Sequence, residues 1–276
     1  MVKLITGVGG FIGSSLAQRL LQNGEDVVGV DCFIDYYPRE IKEKNLRPLR
    51  DYSTFAFIEK NILELDFPKI LDGIDGIYHQ AAQAGVRASW GEDFGIYTKN
   101  NILATQKLLE AVKESRVRVV YASSSSVYGE TKKFPMQEDD LPNPVSPYGV
   151  SKLAAEHLCR LYWKNFSVPT VSLRYFTVYG PRQRPDMAFH RFLKAIMKGE
   201  EITLYGDGEQ TRDFTFIKDA VDANLLAMEK GQAGGVYNIG GGSQVTINHC
   251  IESMEIIVGK KANVKRLERQ KGDVTH

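Results

Sequence analysis

The sequence predicts an α/β protein: a doubly wound parallel sheet carrying a small α/β substrate-binding lobe. Three features predict it. Apolar, strand-like runs alternate with helix-period segments through roughly the first 180 residues, the pattern of parallel strands joined by helical crossovers. A glycine-rich turn, TGVGGFIG, separates the first such strand from the first helix. After about residue 180 the texture changes to short strands mixed with helices.

The elements follow in order. KLIT reads as a strand, and SSLAQRLLQNG as a helix with Gly24 as its stop signal. DVVGVD is the second strand. YTKNNILATQKLLEAVKES, residues 97–115, carries its apolar residues at a helix period. VRVVYA is a buried strand, YGVSKLAAEHLCRLYWKNF (148–166) a helix and TVSLRYF a strand. Beyond them ITLYG, VYNIG and NVKRL read as short strands, among the helices MAFHRFLKAIMKG, DAVDANLLAMEKG and TINHCIESMEIIVG. FPMQEDDLPNPVSP is an acidic, Pro-rich loop. The expected division is a sheet domain over 1–176, to which 211–240 returns, and a lobe built from 177–210 and 241–276.

Composition narrows the function. The chain has 276 residues, 43% of them apolar, enough for a substantial core. A formal charge of +1 offers no basic field for nucleic acid or anionic lipid. No apolar run approaches the roughly 20 residues that span a bilayer. MVKLITG enters a strand at once and does not read as a signal peptide. Cys32, Cys159 and Cys250 are scattered and odd in number, which fits a reducing cytoplasm better than a disulfide framework. His157 and Cys159 diverge on a helix, and no metal set is expected.

Gly7, Gly10 and Gly13 supply what a pyrophosphate needs: a tight turn, a bare backbone to approach, and close packing of helix on strand. Alone the triplet is weak, because plain turns use glycine too. Asp31, at the end of the second strand, strengthens it: a carboxylate there binds both ribose hydroxyls of NAD and repels a 2′-phosphate. The cofactor expected is therefore NAD.

SPYGVSKLAAEHL places Tyr148 and Lys152 four apart at a helix start, on one face. A phenol with a cation nearby is depressed from its pKa near 10 and can act as a general base. The bland alternative is an amphipathic core tyrosine. A second pair of the same spacing, Tyr128 and Lys132, lies in a loop where the spacing aligns nothing. The four serines Ser123 to Ser126 at the end of VRVVYA are also poor core material, since each buried hydroxyl needs a partner.

Taken together, TGVGGFIG, Asp31, HQAAQAGVR, NNILATQKLLEA, SSSSVYG, SPYGVSK, LRYFTVYGPR and GDGEQTRDF resemble the extended short-chain dehydrogenase/reductases of the nucleotide-sugar epimerase/dehydratase family, over nearly the whole chain. The resemblance implies a Rossmann-type domain, NAD, a UDP-sugar substrate and a homodimer paired through the helices at 97–115 and 148–166. It implies Ser124 as the hydroxyl that works with Tyr148 and Lys152. It also implies cofactor contacts from Phe11, Ile12, Ile62 and Ala81, and from Asn61, where the family more often has Asp. Members that eliminate water carry Asp-Glu where this chain has Ser125 and Ser126, so dehydration is disfavoured and 4-epimerisation expected.

RYFTVYGPRQRPDM is closest to UDP-glucuronate 4-epimerases, with Thr177 where glucose epimerases and glucuronate decarboxylases usually have Asn. Arg184 aligns with an arginine associated with the C6 carboxylate, and Gln270 fits the same subgroup. Arg182 is a candidate for the diphosphate. Arg87, Tyr205 (on uracil), Arg212 (on the diphosphate) and Asp273 complete the expected substrate set, with Ser125, Ser126 and Thr177 at the sugar. The family usually continues some tens of residues past GDV, so the lobe is expected to be incomplete at its end. The expected reaction is UDP-glucuronate to UDP-galacturonate through a 4-keto sugar. The alternatives are a UDP-glucose or UDP-GlcNAc 4-epimerase, a UDP-glucuronate decarboxylase, and a non-catalytic NAD-binding sensor.

Overall fold

The computed structural model describes residues 1–131 and 133–268. Seven parallel strands form the main sheet: β1 (Val2–Thr6), β2 (Asp26–Asp31), β3 (Phe55–Glu59), β4 (Gly76–His79), β5 (Arg118–Ser124), β6 (Thr170–Tyr175) and β10 (Val236–Ile239). Their order across the sheet is β10-β6-β5-β4-β1-β2-β3. β7 (Thr177–Tyr179), β9 (Thr211–Phe216) and β11 (Gln244–Thr246) form a three-stranded sheet, and β8 (Glu201–Tyr205) pairs with β12 (Asn263–Leu267). The helices are α1 (Phe11–Gln22), α2 (Arg39–Leu46), α3 (Phe67–Ile70), α4 (Phe94–Tyr97), α5 (Ala104–Val112), α6 (Pro147–Phe166), α7 (Ala188–Lys198), α8 (Ile217–Lys230) and α9 (Ile247–Val258).

The period of two in each strand divides the core into two layers. Ile5, Val120 and Leu173 face one side, against Leu16 and Leu20 of α1 and Val221 of α8. Leu4, Val119 and Tyr121 face the other, against Leu108 and Val112 of α5 and Cys159 of α6. Both faces are covered, so β4 and β6 are buried along their whole length. The lobe has its own core of Phe192, Ile196, Leu204, Ile251 and Met254.

Two expectations change. The return to the main sheet begins at Ile217, not 211, because β9 pairs with β7 and β11 in the small sheet. The 97–115 segment is not one regular helix: Thr98–Leu103 is wound as a π-helix between α4 and α5. The wider turn buries Asn101, whose amide accepts from Gln83 N–H and donates to the Gln83 carbonyl and to Ser151 Oγ. An apolar period does not register such a bulge.

Candidate active site

The strand order reverses between β1 and β4, and the crevice outside their carboxyl ends is where such sheets take ligands. A cleft of about 400 Å³ lies there.

One half of the cleft is the glycine turn. Gly7 has φ +73°, and a Cβ on it would lie 2.7 Å from Ala81 N; a Cβ on Gly13 would run into the Gly7 carbonyl. Only glycine lets α1 sit this close to β1 and β4. Gly10 caps α1 without a side-chain bond, so its first N–H groups remain available to an anion. Asp31 closes the turn, accepting from Gly9 N–H and Phe33 N–H at 2.9 Å each. Gly7, Gly10, Phe11, Ile12, Gly13, Asp31, Asn61, Ile62 and Ala81 all line the cleft. Asn61 spends its side-chain oxygen on Leu63 N–H. Cys32, Tyr36, Tyr37 and Lys42 line this half too, and no sequence signal marked them. This set fits a dinucleotide: a bare turn and open helix N-terminus for its phosphates, a carboxylate for its ribose.

The other half is set by α6. Ser146 accepts from Gly149 N–H at 3.1 Å and Pro147 starts the helix, a capped N-terminus that presents Tyr148 and Lys152 one turn apart. Lys152 is buried and donates to the Ala122 carbonyl at 2.7 Å. Burial lowers it to about 7. Burial raises the Tyr148 phenol, against which a hydrogen bond with Ser124 and the charge of Arg184 work. Burial thus works against the Lys152 ammonium, which is held on the Ala122 carbonyl of β5, while Ser124 and Arg184 are the groups that oppose the rise of the phenol.

The four serines divide their duties. Ser123 donates to Glu156 at 2.6 Å. Glu156 is ion-paired with Arg174 at 2.7 Å, and Arg174 donates to the Tyr128 hydroxyl, also at 2.7 Å. Tyr128 donates in turn to Asn238. Tyr128 is thus a buried strut rather than a second base; Lys132 lies outside the described residues. Ser124 accepts from Ser126 N–H and reaches Tyr148. Ser125 and Ser126 line the cleft with Thr177 and Arg184. Glu156 falls one turn beyond Lys152, so the i,i+4 spacing could have flagged it; nothing local pointed to Arg174.

Arg87, Tyr205 and Arg212 come together with Arg184, Arg191 and Phe214 around an adjoining cavity of about 430 Å³. The Arg87 guanidinium lies 4.5 Å from the centre of the Tyr205 ring. Arg182 does not join them. Its left-handed backbone, φ +70°, turns the side chain onto α1, where it donates to the Ser14 carbonyl and Gln18. The diphosphate role expected of it is withdrawn. Gln270 and Asp273 lie outside the described residues. Among the described residues no group of three or more His, Cys, Asp or Glu is gathered to hold a metal.

The NAD dependent epimerase/dehydratase family model matches residues 3–240. The chain is 44% identical to an uncharacterized UDP-glucose epimerase, YtcB, of Bacillus subtilis, over 98% of this chain and 86% of that one. It is 39% identical to a UDP-glucuronate 4-epimerase of Thermodesulfobacterium geofontis, over 98% and 85%. Its fold superimposes with a TM-score of 0.97 on the UDP-glucuronic acid 4-epimerase of Bacillus cereus, solved with UDP-glucuronic acid and NAD, at 49% identity over 100% of this chain and 88% of that one.

Proposed function

Because this chain belongs to the NAD dependent epimerase/dehydratase family, we propose that it interconverts UDP-glucuronate and UDP-galacturonate as an NAD-dependent 4-epimerase. The observation that carries the reading is the meeting of Tyr148, Ser124 and Arg184 in one cleft with Ser125, Ser126 and Thr177, beside the dinucleotide turn.

Gly7, Gly10, Gly13 and Asp31 hold NAD, which when bound supplies the hydride acceptor and donor at C4 of the sugar. Tyr148 takes the proton from the 4-hydroxyl and Ser124, hydrogen-bonded to both, relays it. The same pair returns the proton when the 4-keto sugar is reduced on its other face. Turning the ring needs room, and the cleft opens past Ser125, Ser126 and Thr177 into a cavity of about 800 Å³ walled by Phe134, Phe176 and Gly240. Ser125 and Ser126 are hydroxyls, unable to supply the acid and base that dehydration requires. They suit the C6 carboxylate instead, with Thr177 and Arg184. Holding that carboxylate out of line with the 4-keto π-system also slows loss of CO₂. Arg87 and Arg212 serve the diphosphate, and Tyr205 the uracil.

We further propose that the enzyme acts as a cytoplasmic homodimer. The three free cysteines suit a reducing compartment. Val150 and Leu161, three turns apart on one face of α6, are exposed, as is Leu103 beside α5.

Incubation with UDP-glucuronate, UDP-glucose and UDP-GlcNAc separately, followed by NMR, tests the reading. UDP-galacturonate should form from the first. Arg184→Ala should lower uronate turnover about 10- to 100-fold, as loss of a charge-assisted contact does, and change neutral sugars far less. Faster turnover of UDP-glucose than of the uronate in the unaltered enzyme would favour a neutral-hexose epimerase.

A further inference from the structure

Arg184 is not a bare cation. Its Nε donates to Asp186 Oδ1 at 3.0 Å and its Nη2 to Oδ2 at 2.9 Å. The local chain is shaped for this: Met187 N–H donates to the Arg184 carbonyl at 3.2 Å, closing a four-residue turn with Pro185 in its second position. That turn brings residues 184 and 186 to the same side. The carboxylate is also held from across the cleft. Tyr36, in the loop after β2, donates its hydroxyl to Asp186 Oδ2 at 3.3 Å, and its ring centre lies 5.8 Å from the guanidinium carbon.

The consequence is geometric. A free arginine side chain samples many rotamers; a two-bond fork to a carboxylate beside an aromatic wall leaves it few. The fork uses Nε and one Nη2 hydrogen. Among the described residues Nη1 has no hydrogen-bond partner, and Arg184 lines both the cleft and the adjoining cavity. Burial pulls the guanidinium down, but the bonds and charge of Asp186 more than offset it. Burial likewise pushes Asp186 up, and Arg184 still holds it below the ordinary carboxylate value. The pair stays charged, its net charge near zero. It offers aimed N–H donors more than a general attraction for anions.

We propose that Asp186, braced by Tyr36, is a positioning residue that aims Arg184 at the C6 carboxylate and thereby sets selectivity for uronate over neutral hexose. This rests on the reading of UDP-glucuronate as substrate. The test compares Asp186→Asn, Asp186→Glu and Tyr36→Phe with the unaltered enzyme, measuring kcat and KM on UDP-glucuronate and UDP-glucose, UDP-pentose by mass spectrometry, and retained NAD. Asp186→Asn should raise KM for the uronate about tenfold relative to its effect on UDP-glucose, and release UDP-pentose as the carboxylate loses its hold. Asp186→Glu should recover most of the selectivity, and Tyr36→Phe should lose a smaller part of it. Equal losses on both sugars, or an unchanged KM with no pentose, would overturn the proposal and leave Asp186 a merely structural partner. An unaltered enzyme that prefers UDP-glucose would instead overturn the substrate reading, and the proposal with it.

Discussion

Tyr148 is the proposed base, and its surroundings work against it. Burial raises the phenol, while Ser124 and Arg184 pull it back toward ionisation. Tyr148→Phe should keep the fold and the bound NAD but lose roughly 10²- to 10⁴-fold in turnover, the usual contribution of a positioned base. Single-turnover kinetics on the purified enzyme would show this, and unaltered rates would remove Tyr148 from the mechanism. Lys152 contributes differently. Lowered to about 7 and seated on the Ala122 carbonyl, it carries only part of a charge at neutrality. Lys152→Ala should shift the rising limb of the pH–rate profile upward, because the phenolate then has less positive charge near it. An unmoved limb would leave Ser124 and Arg184 as the groups that oppose the effect of burial on the phenol.

At the level of elements, β1, β4 and α5 are tied by one side chain. His79, at the end of β4, is buried with Nδ1 2.7 Å from the Thr6 hydroxyl and Nε2 2.9 Å from that of Thr105. Burial, with the Lys152 charge nearby, lowers its pKa to about 3. The group is neutral when folded and protonates near 6.5 when unfolded. Below pH 6.5 the unfolded chain therefore binds the extra proton, and stability falls as pH drops from 6.5 toward 3. The loss should reach a few kcal/mol at the acid end. His79→Gln should flatten this slope in denaturant titrations run from pH 8 to 4. An equal slope in both proteins would show that other groups carry the acid sensitivity.

For the whole molecule the open question is what covers α5 and α6. Leu103 and Leu161 are each about half exposed, at 51% and 52%, and Val150 and Phe166 both stand at 45%, more apolar surface than two helices need to leave in water. Pairing these helices with their mates about a two-fold axis would cover it. Sedimentation should give a dimer at micromolar concentration, and Leu161→Glu should shift the balance to monomer. A monomer throughout would assign the patch to another partner.

The dinucleotide turn, Asp31 and the Tyr148–Lys152 spacing were legible because each depends on local geometry: a tight turn, a strand end, one helical turn. The order of the sheet was legible in kind, since alternating strands and helices allow little else. Tertiary structure decided what local spacing cannot encode. Arg182 and Arg184 are two residues apart, yet a left-handed φ at 182 sends one side chain to α1 while the turn at 184–187 sends the other to the cleft. Arg174 and Tyr36 reach their partners only when distant strands and loops are brought together. The π-helix that seats Asn101 arises from backbone hydrogen bonding that an apolar period does not record. Local chemistry in the sequence thus determined which residues could react, and packing across the sheet decided which of them meet.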